Sequence, residues 1–419
     1  MIITKIKLSN WYSFKDSSLD LSYPRKIVDS NIPFEYLDAF ENIRFKRVVI
    51  LSGANATGKT SFAKILLAIR GFISSGELNR YFSEGMNKNE NSLGFTVEFI
   101  DQNPVPENID CSNVDPTIKN YDFYHQLKVK VQKNTNISSM PFFNFCYKAV
   151  EIKKSDSIES LRNLLELVDE DYLSKKSRKT IYINSLNDNY GSKEYIEKLF
   201  AFKNLKLTKH WNFLYNDHND DTVLNSKVLL NKDILQAILK TFDPSVENVE
   251  DAYQKNKPDE PNGFFVNFYN GNKIYISSEG AVTDEKHLFS LGTYESIKIA
   301  NFISIVLSTQ GRRGCTFFLD EGMSHVQSEI ERTIVNLVIQ KMNRYSQFFY
   351  TTHNYDVLDM NLPIHSYLFI RKDEEYNSYF IRPEETFKKN DRSIVNYIKN
   401  DVLQTLPDTT LLESILMQD

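Results

Sequence analysis

The segment Gly53-Ala54-Asn55-Ala56-Thr57-Gly58-Lys59-Thr60 limits what this chain can fold into more than any other feature. It stands between the apolar run Val48-Val49-Ile50-Leu51 and a stretch whose Phe62, Ile65, Leu66 and Ile69 recur at helical spacing. That order reads as buried strand, glycine turn, amphipathic helix. Glycines let the backbone curl until successive N–H groups converge, and the helix N-terminus adds a favourable potential for an anion. Gly-x4-Gly-Lys-Thr is the spacing of a phosphate-binding loop. On this reading Gly53, Asn55, Ala56, Thr57, Gly58, Lys59, Thr60 and Ser61 form a nucleotide phosphate site. Lys59 reaches the β- and γ-phosphates, and the Thr60 hydroxyl is a ligand for Mg²⁺.

A second apolar run, Phe317-Phe318-Leu319, ends by presenting Asp320 and Glu321. Two acids at the end of a buried strand suit hydrolysis rather than binding alone. Asp320 is the candidate Mg²⁺ ligand, and Glu321 the candidate base that orients and deprotonates the attacking water. His353 follows the strand ending Thr351-Thr352. Ser290-Leu291-Gly292-Thr293 precedes a helical run with Ile297, Ile299, Ile303 and Ile305. A Ser-x-Gly opening a helix can hold a phosphate through its hydroxyl and N–H groups, although Ser and Gly also serve there as ordinary caps.

Between these motifs the chain changes character twice. Residues 1–154 read as an α/β segment that carries the glycine loop: Ile2 to Leu8 is a strand, and the alternating runs Phe95 to Phe99 and Leu127 to Val131 are expected to pair. Residues 155–262 carry helical spacing at Ile158, Leu161, Leu164, Leu165 and Val168, and again at Ile234, Leu235, Ile238 and Leu239. No heptad persists, so a mostly helical insertion is expected rather than a long coiled coil. Residues 263–419 return to α/β, with a hairpin expected around Asn270-Gly271-Asn272 and apolar strands at Thr316–Leu319, Phe348–Thr351 and Tyr367–Ile370.

Net charge is −5 over 419 residues, which gives no whole-chain signal for nucleic acid. Three widely spaced cysteines, Cys111, Cys146 and Cys315, argue against a structural zinc site and fit a reducing compartment. No signal peptide or membrane span is evident, so a cytoplasmic protein with no membrane partner is expected.

With these motifs in place the chain resembles the ABC-type AAA ATPases of bacterial anti-phage defence and abortive-infection systems, among them the PARIS and Septu ATPase subunits, which are kin to the heads of SMC, Rad50 and RecF proteins. The carrying residues are Lys7 to Phe14, Gly53 to Thr60, Ile238 to Val246, Ser290 to Thr293, Leu319 to His325, and Thr351 to Asn354. The resemblance implies an α/β head, with a parallel core sheet plus an antiparallel lobe. It implies ATP and Mg²⁺ as ligands and a homodimer or higher homo-oligomer. ATP would lie between Lys59 of one subunit and Ser290 and Gly292 of the next. His353 would contact the γ-phosphate, and Ser324 and His325 would lie in the loop crossing the interface. Two departures stand out. The glutamine loop has no clear place, Gln102 and Gln132 both following candidate strands, and Leu291 and Thr293 replace the Gly and Gln of transporter signatures.

The stretch after His353 has acids but no Asp-x-Asp, so a nuclease or toxin effector is expected on a separate polypeptide. The rival is a repair or chromosome-maintenance ATPase; a transporter subunit fits less well, given the insertion and the loose signature. Lys175-Lys176-Ser177-Arg178-Lys179, with Lys203, Lys206 and Lys209, lies near Trp211, Phe213 and Tyr215. This cluster reads either as a nucleic-acid contact or as a solvated helix over packed aromatics. Asp217 to Asp221 matches no defined metal spacing and reads as a loop.

Overall fold

The computed structural model describes the chain apart from residues 25–29, 88, 102–121, 134–140, 173–177, 208–211, 218–229, 255–256, 283–289, 310–313, 324–325, 388–393, 406–408 and 417–419. It divides into two compact units, Met1–Phe213 with Asn361–Asp419, and Leu214–Met360.

The first unit is built on alternation. In the strand Ile2–Trp11 the side chains of Ile2, Ile6, Leu8 and Trp11 are fully buried, while Lys7 and Ser9 face outward. It sits in a six-stranded sheet with the order Phe14–Asp20, Ile2–Trp11, Ser92–Asp101, Phe123–Gln132, Phe142–Glu151, Thr180–Asn184, antiparallel at each pairing. The expected pairing is present, with Phe95 opposite Val129 and Val97 opposite Leu127. Arg162, on the helix Ile158–Leu167, fixes that helix to the sheet. Its guanidinium donates to Glu98 at 2.6 Å and to Asp20 at 2.7 Å. The same unit holds the strand Val48–Ser52, buried at every position, parallel to Tyr367–Lys372, which turns back antiparallel into Ser378–Ile381.

In the second unit Cys315–Asp320 and Gln347–Thr351, each buried throughout, run parallel in register from Thr316–Gln347 to Asp320–Thr351. Consecutive apolar residues are what a strand covered on both faces requires. The strand Asn212–Asp217 flanks Cys315–Asp320, entering this unit at Leu214. A three-stranded antiparallel meander, Val246–Gln254, Lys257–Phe268 and Lys273–Ser277, packs on the helices Lys232–Phe242 and Leu291–Ser308. Leu235, Leu239, Val266, Ile276 and Ala300 form the shared core. The hairpin predicted at Asn270-Gly271-Asn272 is present, and Gly271 takes the left-handed φ of +85° that the turn demands.

The architecture is therefore mixed α/β, as expected. The described residues of 155–262 are not mostly helical. They carry the helices Ile158–Leu167, Lys193–Asn204 and Lys232–Phe242, but also the strands Thr180–Asn184, Asn212–Asp217 and Val246–Gln254. Those strands are short or rich in Asn, Asp and Glu, so their alternation is too weak to read without their neighbours. Gln132 ends a strand of the antiparallel sheet, opposite Ser92 and Phe142, while Gln102 lies outside the described residues. Of the cysteines, Cys146 and Cys315 are buried free thiols, and Cys111 lies outside the described residues. Among the described residues no helix is long and apolar enough to cross a membrane.

Candidate functional site

In the first unit the strand Val48–Ser52 delivers its chain directly into the glycine turn. Gly53 has a φ of +150°, and a Cβ there would lie 2.4 Å from the Ile370 carbonyl oxygen, so no other residue fits without moving the neighbouring strand. Ala56 adopts a left-handed φ of +60° and Gly58 one of +115°. Gly58 caps the helix Lys59–Ser75, whose first turn carries no acid. The loop thus closes over the positive end of a helix whose first turn adds no negative charge, which suits a polyphosphate. Lys59 is buried. Its ammonium donates to the carbonyls of Gly53 at 3.1 Å and Ala54 at 3.3 Å, holding a cation over the loop. Thr57 braces the turn by donating to the Ala54 carbonyl at 2.9 Å.

A support that sequence reasoning missed lies beneath the loop. The Ser378 hydroxyl donates to the Thr57 carbonyl at 2.5 Å, which leaves the Ser13 hydroxyl to donate to Ser378 at 2.6 Å. Phe14 stacks on Phe380 at 5.1 Å and also meets Phe62 of the loop helix. The N-terminal residues Ser13 and Phe14 therefore buttress the loop. A cavity of about 570 Å³ opens beside Ala54, Asn55 and Thr57, and its wall carries both cations and carboxylates: Arg371 and Lys372, but also Asp373 and Asp401.

In the second unit the register Asp320–Thr351 places one hydroxyl against both acids. Thr351 Oγ1 donates to Asp320 Oδ1 at 2.6 Å and accepts the Glu321 N–H at 2.8 Å. That second bond holds Glu321 in a left-handed turn with φ of +46°, uncommon for a residue with a Cβ. The same turn lets Glu321 leave the sheet: Asp320 is buried, while the Glu321 side chain is 39% exposed. A Cβ at Gly322 would fall 2.5 Å from Leu319 Cδ1, so a larger residue there requires the Leu319 side chain to shift. His353 Nε2 lies 2.9 Å from Glu321 Oε1, both side chains reaching solvent.

Tyr215 belongs to this site rather than to a basic surface. Its ring meets Phe318 edge-on at 5.9 Å, and its hydroxyl lies 3.4 Å from Asp320 Oδ2. The pattern that could have revealed it, a tyrosine on a strand flanking the acid strand, requires the topology. The basic cluster is partly engaged elsewhere. Arg178 donates to both Asp156 oxygens, at 2.9 and 3.2 Å, and Lys203 pairs with Glu77 at 3.0 Å. Lys175, Lys176, Ser177, Lys209, Trp211, and the loop residues Ser324 and His325 lie outside the described residues, as do 218–221.

Ser290 caps the helix Leu291–Ser308: its hydroxyl oxygen accepts the Thr293 N–H at 3.1 Å and sits 2.7 Å from Thr293 Oγ1. Thr293 Oγ1 donates onward to Asp243 Oδ2 at 3.0 Å. Burial works against the Asp243 carboxylate, but bonds from the Ser245 hydroxyl and N–H and from Thr293 outweigh it and hold its pKa below the usual range. Ser290 and Gly292 thus stand at the mouth of an 18-residue helix.

Among the described residues no cluster of three or more His, Cys, Asp or Glu side chains could hold a metal by itself. Mg²⁺ needs no such cage: it keeps waters and takes one or two protein oxygens plus phosphate oxygens.

No protein-family model matches the chain, and no curated protein sequence does. Among solved structures the chain is similar to an SMC head bound to the C-winged helix domain of ScpA. That match has 13% identity, covers 92% of this chain and 100% of the other, and has a TM-score of 0.43. It is also similar to the SMC head domain from Thermotoga maritima, at 10% identity, with coverage of 91% and 99% and a TM-score of 0.37.

Proposed function

We propose that this chain is an ABC-like ATPase that binds ATP through Gly53–Thr60 and hydrolyses it with Glu321 as the base. The observation that carries the reading is the chemistry of the acid turn. Thr351 ties down Asp320 and the Glu321 backbone, so that one acid stays buried while the other, one residue on, reaches out beside His353. A carboxylate held at solvent level beside an imidazole is suited to orienting and deprotonating a water. Lys59, the loop N–H groups and the helix N-terminus supply positive potential for the β- and γ-phosphates. Mg²⁺ bound by oxygens such as those of Thr60 and Asp320 would neutralise phosphate charge. His353 is assigned to the γ-phosphate.

ATP hydrolysis that tracks Lys59 and Glu321 tests this. Turnover by the purified protein that survives Lys59→Ala unchanged would remove the loop from the reaction. We further propose that Ser290 and Gly292 complete the site of a second copy, making the working unit a head-to-tail dimer. Their position at a long helix's N-terminus supports this. A Lys59→Ala subunit mixed with a Gly292→Asp subunit should regain about one intact site per dimer. Mixtures that stay inactive while both mutants still dimerise would exclude sharing.

The biological output is proposed to lie in a separate effector, a nuclease or toxin, that dimer closure holds or releases in an anti-phage defence system. Such gating requires different effector affinities in the two nucleotide states. Co-purification with the product of a neighbouring gene, with and without ATP in the Glu321→Gln background, tests it. ATP-dependent binding of DNA ends with no protein partner would favour a repair role instead.

A further inference from the structure

The chain leaving the strand Gln347–Thr351 alternates between two acid systems. Thr351 and His353 face Asp320 and Glu321. The intervening residues Tyr350, Thr352 and Asn354 all face a third carboxylate, Glu331, in the first turn of the helix Ser328–Lys341. Glu331 is 3% exposed, and the acid turn makes no use of it. Its Oε1 accepts from the Tyr350 hydroxyl and from Thr352 Oγ1 at 2.9 Å. Its Oε2 accepts from Asn354 Nδ2 at 2.7 Å. The same Asn354 amide also donates to Ser328 Oγ at 3.0 Å, and the Asn354 N–H donates to Thr352 Oγ1.

A buried carboxylate is costly to desolvate and persists where several donors satisfy it. Here all three side-chain donors come from one short segment, and they bracket His353 on both sides in sequence. The period of two does the rest. With 350, 352 and 354 held on one side, the extended chain turns 351 and 353 to the other, as their contacts with Asp320 and Glu321 show. His353 makes its contact at 2.9 Å from a side chain that is 43% exposed, so little packing of its own holds it there.

We propose that Glu331 is the positioning residue for His353: it fixes the backbone on either side of the histidine, and so the imidazole's place beside Glu321. The proposal rests on the ATPase reading above. Loss of the anchor leaves the phosphate loop untouched and frees His353 to wander, so the effect falls on turnover and not on ATP binding.

A double-mutant cycle on the full-length protein tests this, with kcat and KM for ATP measured for Glu331→Gln, His353→Ala and the pair. Glu331→Gln keeps the shape but removes the charge and one acceptor oxygen, so the three side chains can no longer all donate to it. The expected result is a kcat about tenfold lower with KM within about twofold, and less than about a twofold further loss when His353 is already alanine. A fall in kcat of equal factor in both backgrounds overturns the proposal, because the anchor would then act independently of the histidine. A raised KM with unchanged kcat overturns it too. Asn354→Ala keeps the buried charge and cuts one tether; it should show the same coupling to His353 in weaker form. This second cycle decides the matter if Glu331→Gln does not melt cooperatively. If the wild-type protein hydrolyses no ATP, the ATPase reading fails before any variant is compared, and the proposal goes with it.

Discussion

The two halves of the candidate chemistry are built from different materials. The phosphate loop is made of backbone: positive φ at Gly53, Ala56 and Gly58, with carbonyls turned toward Lys59. The acid turn is made of side chains. Asp320, Glu321 and His353 take their places from hydroxyls and a carboxylate on the neighbouring strand and helix. Backbone sites are defined by local sequence and fail when one residue cannot adopt the required dihedral. Side-chain sites are defined by register and should degrade in steps.

Gly53→Ala should break the first half outright. The added Cβ would sit 2.4 Å from the Ile370 carbonyl in a φ region alanine avoids. Nucleotide binding should be lost, with a stability cost of about 1–3 kcal/mol, read by thermal melting and by titration of a fluorescent ATP analogue. Normal binding by this variant would show that the loop is more plastic than its contacts imply.

Thr351→Val should damage the second half by degrees. It removes the donor to Asp320 and the acceptor for the Glu321 N–H at nearly constant volume, and should cost about 1–3 kcal/mol of stability. ATP affinity should hold while kcat falls. The matched change in the other half, Ser378→Ala, should do the reverse, weakening ATP binding a few-fold with a smaller loss of about 1 kcal/mol. If both variants change the same kinetic constant, the contrast between the halves is false.

The smallest effect concerns the antiparallel sheet. Burial opposes ionisation of Asp20, but hydrogen bonds and charge from Arg162, helped by Ser22, hold its pKa below the usual value. The stability this contributes is full above the unfolded value of about 4 and is lost as pH falls through the lower folded value. Asp20→Asn should flatten that acid limb in urea titrations and leave neutral-pH ATPase activity unchanged. An unchanged acid limb would remove Asp20 from the account.

The same contrast explains what was legible in the sequence. Gly53 to Thr60 could be read because the motif carries its own conformational signal. The strands at 48–51, 316–319 and 348–351 could be read because both-faces burial leaves an unbroken apolar run. Asp320 and Glu321 were visible as acids at a strand end. Their fixings were not. Thr351 matters only because the parallel register sets it against Asp320, and Ser378 lies 321 residues from the carbonyl it supports. Tyr215 read only as one aromatic beside a basic cluster, with nucleic-acid contact and internal packing both open, because nothing local says that its strand flanks the acid strand. The strands between 155 and 262 escaped because Thr180–Asn184 is only five residues long, and because Asn, Asp and Glu interrupt the sequence of Asn212–Asp217 and Val246–Gln254 in place of clean alternation.

The most direct test is to measure ATP affinity and turnover on one preparation of Glu321→Gln, beside wild type and Lys59→Ala. The account predicts ATP affinity within about threefold of wild type and turnover lower by a factor on the order of 10² to 10⁴, the range for losing a general base. Lys59→Ala should lose both. A Glu321→Gln protein that still turns over ATP at the wild-type rate would contradict the assignment of Glu321, and with it the claim that the acid turn is the hydrolytic half.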